Sequence, residues 1–135
     1  MKKIIVALMV AVALLSFGCG GRTAEFGTVD MKKVESEAPI VKTTKEEGTK
    51  KVEELKAQME KEVAGKSAEE QAKIAQDYSA KVRLLQSEAQ NKLKASFETA
   101  LAQVAKEKNL GAILVKEAVP QGGQDVTAQV IEKMK

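Results

Sequence analysis

Histidine and tryptophan are absent from this 135-residue sequence, cysteine occurs once and proline twice. Each absence removes a class of chemistry. Without His, the commonest general base and metal ligand is missing, and one Cys builds neither an internal disulfide nor a cysteine-rich zinc site. Aromatics make up 3% of the chain (Phe17, Phe26, Phe97 and Tyr78), so a large globular core has few bulky anchors. No nucleophile–base pair can be assembled, and no catalytic residue, metal site or cofactor is expected. The chain does not read as an enzyme.

What remains is 44% apolar, much of it Ala and Val, and 30% charged. An Ala-, Lys-, Glu- and Gln-rich chain of this kind makes long helices. Its length allows one ordinary domain or one elongated element.

The N-terminus carries a separate signal. Met1-Lys2-Lys3 is a short basic start, and Ile4 to Leu15 is unbroken apolar sequence. A basic start, an apolar stretch of about 7–15 residues and small residues after it make a bacterial export signal. The stretch is shorter than the roughly 20 residues of an ordinary transmembrane helix. Cys19 closes it, and Leu15-Ser16-Phe17-Gly18-Cys19 resembles a lipobox, with Gly18 small and Ser16 departing from the usual Leu. The expectation is a lipoprotein signal peptide at 1–18, lipid attachment at Cys19 and a tether over 19–25. Three acyl chains anchor a protein stably, where one is marginal. Gly20 in place of Asp fits the proteobacterial pattern that permits transfer to the outer membrane; the expected location is the periplasm, on either membrane. Removing 1–18 takes Lys+Arg from 22 to 20 against 19 Asp+Glu. That balance lacks the positive excess of a nucleic-acid binder.

Further on, Phe26-Gly27-Thr28-Val29-Asp30 reads as a brief strand, with Asp30 capping Met31 to Ser36. Pro39 suits a first helical turn, and no proline follows until Pro120. Val41, Gly48, Val52, Leu55, Met59 and Val63 form one stripe of a helix. Gly65 ends it, and Ser67-Ala68-Glu69-Glu70 is a capping box that starts another helix running to about Lys108. On that second helix Ala75, Tyr78, Val82, Leu85 and Ala89 keep heptad steps, and Leu93, Phe97, Leu101 and Val104 continue with a shift of phase. The predicted fold is mainly α: a long antiparallel helical hairpin over 40–109 with its turn near 64–67, a coiled-coil prong. A small β head over 26–39 and 110–135 carries it.

In the head, Asn109-Leu110-Gly111 stops the helix, and Ala112-Ile113-Leu114-Val115 suits a buried strand facing Thr28-Val29. Ala118-Val119-Pro120 reads as a second, edge-type strand, and Gln121 to Gln124 as a loop. A short terminal helix follows, capped by Thr127 or Asp125, with Val126, Val130, Ile131 and Met134 on one face. So few strands are marginal alone, and sharing a core between copies is the natural remedy. Val29, Ile113, Leu114 and Val115 are the expected core of that shared head.

Phe26 to Val34, Leu110 to Val115 and Gln124 to Ile131, in this order around a charged hairpin, resemble the Skp/OmpH family of periplasmic chaperones. The hairpin is shorter than in typical members, Val115 to Asp125 is compressed, and the lipid anchor is a departure. The resemblance implies a homotrimer with a β-rich head and three helical prongs. It implies an ATP-independent holdase that binds unfolded outer-membrane β-barrel proteins and prevents their aggregation. Met59, Val63, Tyr78 and Val82 near the prong tip are the candidate client contacts, against a reading as packing between the helices. Lys73 and Lys81 are candidate contacts for acidic clients, against a reading as solvated charge. A structural coiled-coil lipoprotein, acting as an envelope tether without chaperone activity, is the alternative, with an adaptor for one folded partner beside it.

The lipobox reading has a direct check. Cys19→Ala leaves the precursor uncleaved at that site, and the processed membrane-bound form disappears on fractionation. A correctly trimmed, unacylated protein that still sediments with membranes contradicts it.

Overall fold

A computed structural model describes residues 25–135; Cys19, the signal peptide and most of the tether lie outside them. Strand β1 (Phe26–Val29) opens the described chain and sits in the middle of a three-stranded sheet of order β2-β1-β3. β2 (Ala112–Val115) and β3 (Gln124–Asp125) both run parallel to it. The expected pairing of the chain ends is present, with Thr28 opposite Leu114 and Val29 opposite Val115. Parallel neighbours demand a crossover. Here the crossover from β1 to β2 contains most of the protein.

That crossover is helical. Asp30 accepts a bond from the Lys33 amide at 3.1 Å and so caps α1 (Met31–Glu37). Pro39 opens α2 (Pro39–Val63) at a position where its missing N–H costs nothing. The chain turns at Gly65, whose φ of +73° favours glycine. Ser67 and Glu70 then close a capping box at the start of α3 (Ala68–Lys108). Asn109, in the left-handed conformation at φ 54°, ends that helix two residues before the glycine. Glu47 meets Lys92 and Glu62 meets Tyr78, so α2 and α3 run back along one another in opposite directions. At 41 residues, α3 spans about 60 Å.

The buried core lies at one end of this pair. Val29, Val34, Ala38, Ile40, Ala100, Val104, Leu110, Val126, Val130 and Met134 form a single cluster. It draws on β1, on α1, on the bases of α2 and α3, and on α4 (Thr127–Lys133). The head therefore includes the bases of the long helices as well as the terminal segments. Of the four residues expected to build a shared head core, Val29 is fully buried in the single chain and Ile113 packs half-buried against the cluster. Leu114 and Val115 are 44% and 42% exposed on the edge strand β2.

Two expectations for this end are corrected. Ala118-Val119-Pro120 is not a strand: Lys116–Ala118 makes a single 3₁₀ turn, and Pro120 has no N–H to offer a ladder. The third strand is instead Gln124–Asp125, at the end of what read as a loop. Gly122 and Gly123, at φ +90° and +85°, turn the chain onto β1. A Cβ on Gly123 would lie 2.6 Å from the Phe26 ring, so glycine alone lets the backbones approach. The residue capping α4 is Val126, with neither expected side chain in that position.

Asp125 and Thr127 hold this corner together all the same. The Asp125 carboxylate accepts from the Thr127 amide at 3.0 Å and its hydroxyl at 2.6 Å, and from Lys116 Nζ at 2.9 Å. The Thr127 hydroxyl in turn accepts the Asp30 amide at 3.0 Å. The Asp125 carboxyl is thereby held far below the usual carboxylate range, chiefly by the Thr127 hydroxyl and amide and then by Lys116. Since the folded pKa lies below an unfolded value of about 3.9, this clamp stabilises the fold above that pH. The contribution shrinks once pH falls below about 4, and is lost as pH passes through the folded pKa. Asp125→Asn accordingly lowers the urea midpoint at pH 7, and its deficit relative to the parent narrows steadily in more acid buffers. A deficit independent of pH would assign Asp125 a packing role instead.

Candidate functional site

Beyond the head, the two long helices have only each other to pack against. Val52, Leu55, Met59 and Val63 on α2 face Val82, Leu85, Ala89 and Leu93 on α3, and all are half-buried. Tyr78 is the exception, 4% exposed, with its hydroxyl donating to Glu62 at 3.0 Å. Burial, reinforced by the bond to Glu62, raises the Tyr78 pKa above the ordinary phenol value. Along the seam from Tyr78 onward, Val82, Leu85, Ala89, Leu93, Phe97 and Leu101 are half-buried and Val104 is buried. At its outer end Ala75 is exposed and Ile74 takes the half-buried place. A narrow seam of this kind leaves apolar side walls open to solvent.

Two grooves result. The outer one, about 580 Å³, is lined by Val52, Leu55 and Met59 from α2 and by Tyr78 and Val82 from α3, with Lys56 and Arg83 beside them. It thus brings together three of the four apolar residues expected near the tip. Val63 lies outside this groove and is half-buried near the turn. Lys81 stands 4.4 Å from the centroid of the Tyr78 ring, a cation–π contact that covers the tyrosine from outside. Lys73 does not join them; it pairs with Glu69 at 3.3 Å along its own helix. Val52, Leu55 and Lys56 line this groove without having been among the expected contacts. Leu55 was visible in the stripe, but the stripe does not say which of its members stay accessible.

The inner groove, about 470 Å³, lies closer to the head between Val41, Thr44, Gly48 and Val52 on one side and Leu85, Ala89 and Leu93 on the other. Thr43 and Thr49 return their hydroxyls to backbone carbonyls four residues earlier. The Thr44 hydroxyl is buried without a partner. Beyond the backbone of its own helix, nothing lies within 4 Å of where a Cβ on Gly48 would stand, and α2 runs through it without a break.

No group of three or more potential metal ligands exists among the described residues, and no described helix is long and apolar enough to cross a membrane. The grooves offer apolar walls with cations at the edge and no bond-making constellation. No protein-family model matches the chain, and no curated protein matches it.

Gly48 provides a measurable consequence. A methyl group there meets nothing and gives α2 a better helix former, so Gly48→Ala raises stability by about 1 kcal/mol. The urea midpoint at constant m-value reads the gain. A loss of stability would mean that α2 bends at residue 48 in solution.

Proposed function

We propose that this protein is a holdase of the Skp/OmpH type, an ATP-independent periplasmic chaperone that keeps unfolded outer-membrane β-barrel proteins from aggregating. On this reading α2 and α3 form a coiled-coil prong, and several copies, three in the family, share the head through the exposed Leu114 and Val115 of β2. Cys19 carries the lipid that holds the assembly at a membrane. The unfolded client contacts the prongs.

One observation carries the reading: the outer arm holds an open apolar groove although no member of the core cluster lies there. The whole core cluster sits at the base, with no member between Ile40 and Ala100. The outer prong instead keeps an apolar groove open around Leu55, Met59, Tyr78 and Val82. A surface not needed for the fold is free to bind. Unfolded barrel segments alternate apolar and polar residues and aggregate readily in water. Weak contacts repeated on several prongs hold such chains by effective concentration, without reading a sequence.

Removing the outer prong tests this. Glu47 is level with Lys92, so deletion of Val52 to Ser87 with a short turn in the gap joins two points at matching heights. The core cluster lies wholly outside the deletion. The truncated protein is expected to stay folded and to keep its oligomeric mass, yet to lose protection of a urea-unfolded β-barrel protein after dilution. Light scattering of the client with full-length, truncated and no protein decides it. Equal protection by the truncated form moves the binding surface to the head. No protection by the full-length form leaves the envelope tether.

A further inference from the structure

Thr44 is 6% exposed, and its hydroxyl has no partner in the chain. Two other threonines of the same helix, Thr43 and Thr49, return theirs to backbone carbonyls four residues earlier. A buried hydroxyl left unpaired costs free energy, and nothing within the chain offsets it. Thr44 stands toward the head-side end of the inner groove, which is walled by Val41, Gly48 and Val52 from α2 and by Leu85, Ala89 and Leu93 from α3. Apolar walls with one polar group at a fixed point are the usual form of a small-molecule site.

A cation stands beside that hydroxyl. Lys45, the next residue, also lines the groove and takes no part in the ion pairs of the described chain. Glu47, two places on, points about 160° away around the helix and is engaged with Lys92 at 3.4 Å. The acidic residue lining the groove is Glu53, about two turns toward the tip from Lys45. The groove is thus positive at its head side and negative at its far end, so an anionic group is favoured next to Thr44 and disfavoured next to Glu53.

The dimensions narrow the choice. With Glu47 level with Lys92 and Glu62 level with Tyr78, Leu85 stands level with Leu55. From Thr44 to that level α2 rises about 16 Å. A zigzag hydrocarbon advances about 1.3 Å per carbon, given C–C bonds of about 1.5 Å, so about twelve carbons fill this length. The volume of about 470 Å³ is the share of about fifteen water molecules, close to the roughly fourteen heavy atoms of a twelve-carbon acid. A helix from another chain would bring apolar knobs to the floor and polar groups to the rim, leaving Thr44 unpaired.

We propose that the inner groove binds a free fatty acid of about twelve carbons. Its carboxylate accepts a hydrogen bond from the Thr44 hydroxyl and faces the Lys45 ammonium. Its chain lies over Gly48, where the missing side chain leaves room, and runs between Val52 and Leu85 toward the tip. Glu53 opposes the reversed orientation. The outer groove shares Val52 and Gln86 with this site and no other lining residue. Fatty-acid binding here is independent of the client reading.

Calorimetric titration of the full chain with dodecanoate, kept below its micelle concentration, tests the site. Saturable binding of one molecule per chain is expected. Gly48→Leu puts a side chain into the groove and a good helix former into α2, with nothing outside the helix near its Cβ. It is expected to keep the urea midpoint and abolish binding. Thr44→Val removes the unpaired hydroxyl, and is expected to raise the urea midpoint while weakening binding several-fold. Lys45→Gln is expected to weaken dodecanoate several-fold and to leave the affinity for uncharged dodecanol unchanged. Absence of saturable binding by the parent overturns the site. So does binding that survives Gly48→Leu, which places the fatty acid in the outer groove or on the apolar run from Ile4 to Leu15. A lower urea midpoint for Thr44→Val means that the hydroxyl is bonded within the chain, and it overturns the place given to the carboxylate. Equal losses of dodecanoate and dodecanol in Lys45→Gln overturn the contact between charges.

Discussion

The pairing of β1 with strands from the far end of the chain is the constraint on which the rest of the molecule depends. Thr28 lies opposite Leu114 and Asp125, so one short strand ties together segments more than 80 residues apart. The loop closed in this way is stiff, since most of it is helix. Such a pairing gains little from its few backbone bonds. Its strength comes from what it brings together: Val29 from the sheet, Val34 and Ala38 from the first turns, Ala100 and Val104 from the base of α3, and Val126 and Val130 from the last helix. None of these segments has enough apolar surface to fold alone.

The Asp125–Thr127 clamp explains how a two-residue strand suffices as the third member of the sheet. Asp125 accepts from the Thr127 amide and hydroxyl at the start of α4, and the Thr127 hydroxyl accepts the Asp30 amide at the start of α1. Two short helices thereby start from the same corner. Val34 and Val130 bury these helices against the core, Lys133 pairs with Glu107 at the surface, and the clamp itself is partly open to water. Its contribution is one of geometry: it fixes the direction in which each short helix leaves the sheet.

Away from this corner the architecture follows a different economy of contacts. The long helices are joined by a one-residue-wide seam interrupted by alanine and glycine, so they keep their length without enclosing a core. This arrangement accounts for the half-burial of the Val, Leu, Ile and Met side chains between Gly48 and Leu93, Leu84 excepted. The same incomplete burial leaves both grooves and Leu84 open to solvent.

Much of this was legible in the residues. Asp30, Pro39, Gly65 and the Ser67–Glu70 box each act through local backbone chemistry, and each stands where its spacing put it. The helix pair followed from periodicity and from the proline-free stretch, because helical hydrogen bonds close within a few residues. The errors cluster where contacts are distant. Whether Val119 or Gln124 joins the sheet depends on Gly123 backing against Phe26, almost a hundred residues away in sequence. That Ile74 and not Ala75 occupies the outer seam depends on how α3 rotates against α2. Local pattern thus determined the elements and their ends. Only the tertiary structure decided which apolar residues are sealed at the head and which stay accessible on the arms, since accessibility belongs to the packing of several elements and to none of them alone.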